Sequence, residues 1–131
     1  IYHDSYMDQL RKLAESLQPE TPKSFTPKLF VQTGNKLKAI NTKDIIWLEA
    51  DKDYTWLVTA EKRYLSSYGL GQLEEKLDTD TFLRVHRSSV ININFIQEIE
   101  KHPSSYDLLM KNGDSVRVSR SYIEAIRKRI L

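Results

Sequence analysis

Cysteine is absent from all 131 residues, so disulfides, thiolate metal ligands and cysteine nucleophiles are excluded. That absence fits a reducing compartment, and the expected location is the cytoplasm. Glycine is scarce, with four residues in total, and none sits in a phosphate-cradling loop or a Gly-x-Ser-x-Gly elbow. The nearest approach, Ser67-Tyr68-Gly69-Leu70-Gly71, has the wrong order for either. Long apolar runs are missing too: stretches such as residues 45–48 fall far short of the roughly 20 residues a membrane helix needs. The three histidines, His3, His86 and His102, lack the spacing of a metal site. No metal, cofactor or enzymatic activity is therefore expected. Charge of one sign is also in short supply. The net value is +2, and residues 25–131 carry 17 Lys and Arg against 14 Asp and Glu. Such a mild excess permits a phosphate-facing surface without requiring one.

The chain begins at Ile1 with no signal-peptide pattern, which reads as a fragment boundary. Tyr6, Leu10, Leu13 and Leu17 recur at spacings of four, three and four, predicting one apolar stripe along a helix over 4–17. Pro19, Pro22 and Pro27 then break any helix and favour an extended linker. The expected division is a linker with an amphipathic helix, 1–27, and one globular domain, 28–131.

Beyond the linker the pattern changes to short runs of β-branched and aromatic residues separated by turn signals. Strands are predicted at 29–33, 36–41, 45–50, 54–60, 63–66, 82–85, 90–93, 96–101, 105–111 and 115–118. Gly34-Asn35, Asp51-Lys52-Asp53, His102-Pro103-Ser104 and Asn112-Gly113 supply the turns. Asn112-Gly113 is the strongest hairpin signal, because both residues accept positive φ. Leu70, Leu73 and Leu77 predict a short helix, and Ile123, Ile126 and Ile130 a terminal one. Ser121-Tyr122-Ile123-Glu124 has the form of a capping box for the latter. The fold class is mostly β: an elongated antiparallel fold of short strands with two short helices. Trp47 and Trp56 are expected in the core.

Three polar clusters stand at junctions between these elements: 51–56, 86–89 and 117–121. They mix cations and hydroxyls with little acid apart from Asp51 and Asp53. Arg presents a forked donor that suits phosphate or guanine, and Ser and Thr donate to phosphate. Duplex DNA is thus one expected partner, and an acidic protein bound by the same polar tips is the alternative. A hydrolytic site built on His86 and Ser88 has little support, because neighbours on a tight loop usually point apart. Bland roles compete for single residues: His86 as an anchor of its loop, Ser121 as a helix cap, and Arg127, Lys128 and Arg129 as cations favoured by a helix C-terminus.

Five motifs follow in order: Asp44-Ile45-Ile46-Trp47-Leu48-Glu49-Ala50, a variable tip ending in Tyr54, Leu70-Gly71-Gln72-Leu73-Glu74-Glu75-Lys76-Leu77, Phe82-Leu83-Arg84-Val85-His86-Arg87-Ser88 with Val90, Ile91 and Asn92, and Val116-Arg117-Val118-Ser119-Arg120-Ser121-Tyr122. In that order and spacing they resemble the LytTR family of DNA-binding domains. The resemblance covers about residues 28–131. It implies a bacterial transcriptional regulator, typically of a two-component system, that reads DNA through loops in successive major grooves. Carried over residue by residue, it implies contacts by Tyr54 and Thr55 at the first tip, Arg87 and Ser88 at the second, and Ser119, Arg120 and Ser121 at the third; the polar clusters themselves add Lys52, His86 and Arg117 as expected DNA contacts. Many members carry a second basic residue where Ser121 stands. In the family a receiver domain commonly precedes such a linker, and other sensory or membrane segments also occur there; a homodimer on direct-repeat sites is a further expectation.

Overall fold

The computed structural model describes residues 25–131. The helix expected over 4–17 and most of the linker lie outside them. Among the described residues ten strands run in chain order, all ten at the predicted places to within two residues at either end: β1 Lys28–Thr33, β2 Lys36–Asn41, β3 Ile45–Asp51, β4 Tyr54–Thr59, β5 Arg63–Ser66, β6 Phe82–His86, β7 Ser89–Asn92, β8 Ile96–Lys101, β9 Tyr106–Met110 and β10 Ser115–Val118. Helix α1, Leu70–Glu74, lies between β5 and β6, and α2, Ile123–Arg129, ends the chain's regular structure. The fold is mostly β and antiparallel, as expected.

A central five-stranded sheet of order β5-β4-β3-β7-β6 is covered on both faces. One face packs Leu48, Leu57 and Val90 against Leu29, Val31 and Ile40 of the β1-β2 hairpin and Leu70, Leu73 and Leu77 of the α1 region. The other packs Trp47, Leu83, Val85 and Ile91 against the three-stranded sheet β10-β9-β8 and Ile123 and Ile126 of α2. A strand buried on both faces needs an unbroken apolar run, which Ile45-Ile46-Trp47-Leu48 supplies. The register of β3 on β4 shifts between Ile45 and Trp47, leaving Ile46 as the extra residue of a bulge. Ile46 and Trp47 therefore enter the same core although they are neighbours in sequence.

Local chemistry departs from expectation in three places. The β9-β10 hairpin forms, but only Gly113, at φ 95°, takes positive φ. Its N–H donates to the Met110 carbonyl at 2.9 Å, so a three-residue loop with a glycine bulge replaces the tight two-residue turn. The capping box at Ser121 is absent. A 3-10 turn, Arg120–Tyr122, begins before α2, so Ser121 already lies inside a turn and its hydroxyl caps nothing. Trp56 is half-buried and belongs to neither core: it lies at the uncovered end of its sheet face, with the Arg63 guanidinium 4.0 Å from its ring centre. Trp47 is in the core as expected, its indole N–H donating to Asp114 at 2.9 Å.

Asn92, 1% exposed, ends β7, where its side-chain N–H₂ donates to the Ile45 carbonyl and its oxygen accepts from the Asn94 N–H, both at 2.9 Å. Asn92→Ala strands both backbone groups and should destabilise the domain by about 1–3 kcal/mol in urea unfolding; an unchanged midpoint contradicts this pinning role. Among the described residues Lys52 is the only non-glycine at positive φ, 58°, at the turn joining β3 to β4. Left-handed backbone costs a side-chain-bearing residue about 1–2 kcal/mol and glycine little, while glycine's extra chain entropy returns part of that difference. Lys52→Gly should thus leave stability unchanged or raise it by up to about 1 kcal/mol, and a clear loss would contradict the strain.

Candidate nucleic-acid interface

Strands β3 and β6 both lie antiparallel to β7, one on each side of it. They therefore point the same way, and the β3-β4 and β6-β7 turns emerge at one end of the sheet. Trp47 pairs with Ile91, Leu48 with Val90 and Glu49 with Ser89; the Ala50 N–H then donates to the Ser88 carbonyl at 2.8 Å, locking the first tip to the second. The third tip joins through the Ser119 N–H, which donates to the Val85 carbonyl at 3.0 Å. Residues separated by up to about 70 positions in the chain thus share one edge.

At the first tip, Lys52 and Tyr54 are exposed, and Asp51 accepts the Trp56 indole N–H at 3.1 Å, which commits that carboxylate within the fold. Thr55 differs from expectation. It is 0% exposed and its hydroxyl donates to the Tyr68 carbonyl at 2.8 Å, because alternation along β4 turns it inward when Tyr54 faces out. The structure gives Thr55 a scaffold role at the foot of the tip.

The second tip is braced from inside. His86 is half-buried, and its Nδ1 lies 3.2 Å from the Ser88 N–H and 3.0 Å from Ser88 Oγ. Contrary to expectation, these near neighbours do meet, because the loop folds back on itself. A backbone N–H can only donate, so Nδ1 accepts and the neutral ring carries its proton on Nε2. The contact closes the loop; among the described residues no carboxylate bonds His86 to complete a hydrolytic triad. Arg87 is exposed at the apex, and its side chain has no hydrogen-bond or ion-pair partner among the described residues.

Arg84 is the residue sequence reasoning passed over. It is half-buried in β6 and donates from Nε to the His86 carbonyl at 2.8 Å, from one terminal nitrogen to the Arg87 carbonyl, and from the other to Glu74 of α1 at 2.6 Å. The signal was present: a lone cation inside the apolar run Phe82-Leu83-Arg84-Val85, with Glu74 and Glu75 in the predicted short helix that precedes it in the chain.

At the third tip, Arg120 and Ser121 are exposed and Ser119 is half-buried. Arg117 points elsewhere, paired with Asp107 at 3.3 Å, and Asp107 also meets His102 at 3.1 Å. The cations at the end of α2 are partly engaged as well. Arg127 donates to the Tyr106 hydroxyl, the main cause of a guanidinium pKa raised above its ordinary value, and Arg129 donates to the Thr79 carbonyl. At the opposite end of the sheet an open cleft of about 620 Å³ is lined by Lys38, Asp44, Thr59, Glu61, Tyr64 and Phe95. It holds none of the predicted site residues. Among the described residues no group of His, Cys, Asp and Glu could hold a metal ion, and no helix is long and apolar enough to cross a membrane.

The family model of the LytTr DNA-binding domain matches residues 35–131. The sensory transduction protein LytT of Bacillus subtilis is 36% identical over 102 residues, which cover 77% of this chain and 42% of that protein. The heme-containing CO-sensing transcriptional regulator RcoM 1 of Paraburkholderia xenovorans is 38% identical over 96 residues, 72% of this chain and 36% of that one. The chain therefore spans about two fifths of the length of these relatives. Among solved structures, the LytTr DNA-binding domain of a protein described as a methyl-accepting/DNA response regulator of Bacillus cereus superposes with a TM-score of 0.74 at 30% identity, covering 80% of this chain and 97% of that one. With a family match over most of its length and relatives above 30% identity, the chain belongs to the LytTR family of DNA-binding domains.

Proposed function

We propose that this domain reads double-stranded DNA by sequence through the edge made by its three tips, as the output domain of a bacterial transcriptional regulator. The observation that carries this reading is the convergence of Lys52 and Tyr54, Arg87 and Ser88, and Ser119, Arg120 and Ser121 on one end of the central sheet. The tips enter the major groove, where Arg87 and Arg120 can pair bidentately with guanine and Tyr54 can touch a thymine methyl. Lys52, Ser119 and Ser121 contact phosphates and fix the register; Ser88 joins them when its hydroxyl turns from His86 to a phosphate oxygen. Ser121 suits this role because its hydroxyl caps no helix. His86 holds the second tip through Nδ1, which leaves Nε2–H to donate to DNA, and Arg117 contributes through whatever its pairing with Asp107 leaves unused. Thr55 supports the first tip from within. The domain acts by binding and not by catalysis.

In the whole protein, residues 28–131 form the DNA-binding unit, and residues 1–27 link it to an upstream input. A receiver domain is the proposed input, with homodimers on direct-repeat sites and a cytoplasmic location. The relatives named for sensory transduction and CO sensing support regulated output from this domain type.

Enrichment from a random duplex pool should recover a defined motif whose affinity falls as salt rises, because phosphate contacts release counterions. Recovery of no motif would favour the alternative, an acidic protein bound by the same tips. Arg87→Ala should cost about 1–3 kcal/mol of binding to the selected site with the unfolding midpoint unchanged; undiminished affinity removes Arg87 from the reading surface. Thr55→Val should behave oppositely, lowering stability by about 1 kcal/mol through the lost bond to Tyr68 while the folded protein binds normally. Impaired binding by a fully folded Thr55→Val would return that residue to the interface.

A further inference from the structure

We infer that Arg84, anchored by Glu74 of α1, is a positioning residue that aims the second tip at the duplex. The proposal rests on the DNA-binding reading of that tip and adds to it the device that sets its conformation. Arg84 sits midway along β6, three residues before Arg87, and spends its donors on the protein. Nε takes the His86 carbonyl at 2.8 Å, one terminal nitrogen takes the Arg87 carbonyl, and the other takes Glu74 at 2.6 Å. Its side chain is 25% exposed, and that of Glu74 38%.

Two features separate this arrangement from an ordinary surface ion pair. The planar guanidinium binds consecutive carbonyls, those of the residue before the apex and of the apex itself, and so constrains the peptide planes that set where the Arg87 side chain leaves the loop. The turn also lies beyond a break in regular pairing: β6 and β7 shift register between Arg84 and His86, so a single ladder pair, His86 with Ser89, closes the loop past the bulge. Arg84 adds a second constraint from the side chain. Glu74 fixes the guanidinium in turn, and α1 is seated by Leu70 and Leu73, 5% and 2% exposed, so the tip is referenced to the core. Lysine cannot substitute, because a single ammonium does not present the planar fork that spans two successive carbonyls and a carboxylate.

The test is a double-mutant cycle between Arg84 and Arg87, read as affinity for a duplex selected by the wild-type domain and for an unrelated duplex of equal length. Arg84→Lys keeps a cation beside Glu74, and so keeps the fold, while losing the fork. It should weaken selected-site binding roughly tenfold, the scale of one well-aimed base contact, and leave binding to the unrelated duplex within about twofold. In an Arg87→Ala background the same change should cost less than about twofold, because the side chain being aimed is gone. Equal losses in both backgrounds, or equal losses on both duplexes, would overturn the positioning role and leave Arg84 as a stabiliser only. Arg84→Met should reproduce the result, and if it unfolds, Arg84→Lys decides alone. A wild-type domain that selects no sequence would instead defeat the DNA-binding reading, a failure visible before any variant is made.

Discussion

The pairing of β3 with β7 is the constraint on which everything else depends. Three residue pairs, Trp47 with Ile91, Leu48 with Val90 and Glu49 with Ser89, join two hairpins that lie some 40 positions apart in the chain. They complete a central sheet with apolar residues on both faces, and they place two turns at the same end of it. Were β7 to slip by one residue against β3, Val90 and Ile91 would exchange cores while Leu48 and Trp47 kept theirs, and both cores would be mispacked. The packing that stabilises the domain and the geometry that groups its polar tips are therefore one requirement.

Around that pairing the molecule divides its labour. The strands hold the apolar groups, and the tips hold cations and hydroxyls that the cores do not need. Between them lies a thin layer of polar side chains turned inward: Thr55 on the Tyr68 carbonyl, Asn92 on Ile45, His86 on Ser88 and Arg84 on two tip carbonyls. Each satisfies backbone groups that an irregular loop would otherwise leave unpaired. No buried side-chain polar atom lacks a partner among the described residues. The tips are irregular at their apices yet tied down at their bases, which suits surfaces that must present side chains at fixed positions.

Much of this was legible in the sequence, for reasons that also explain what was not. Short runs of β-branched and aromatic residues between turn residues located all ten strands, because both are local signals. The bulge at Ile46 was hidden, since an unbroken apolar run reads the same with or without an extra residue. The family resemblance places Thr55 with Tyr54 at the first tip, yet a strand sends neighbours to opposite faces and Thr55 is buried. Ser121 matched a capping motif, but the 3-10 turn begins one residue earlier and takes that role from it. Arg84 and Arg117 are both cations near a tip, and only their partners in space, the tip carbonyls and Asp107, tell them apart. Motif order along the chain identified the family, while three-dimensional pairing decided which side chains face outward.

The central claim is that one edge of the central sheet is the DNA-facing surface. It is tested most directly by titrating the isotopically labelled domain with its selected duplex and mapping backbone amide shifts. The account predicts that the largest shifts fall on residues 52–54, 86–88 and 119–121. Little change is expected along β8 or around the distant cleft at Lys38, Asp44 and Glu61. Shifts centred on that cleft or on the β1-β2 hairpin, with the three tips unmoved, would contradict it.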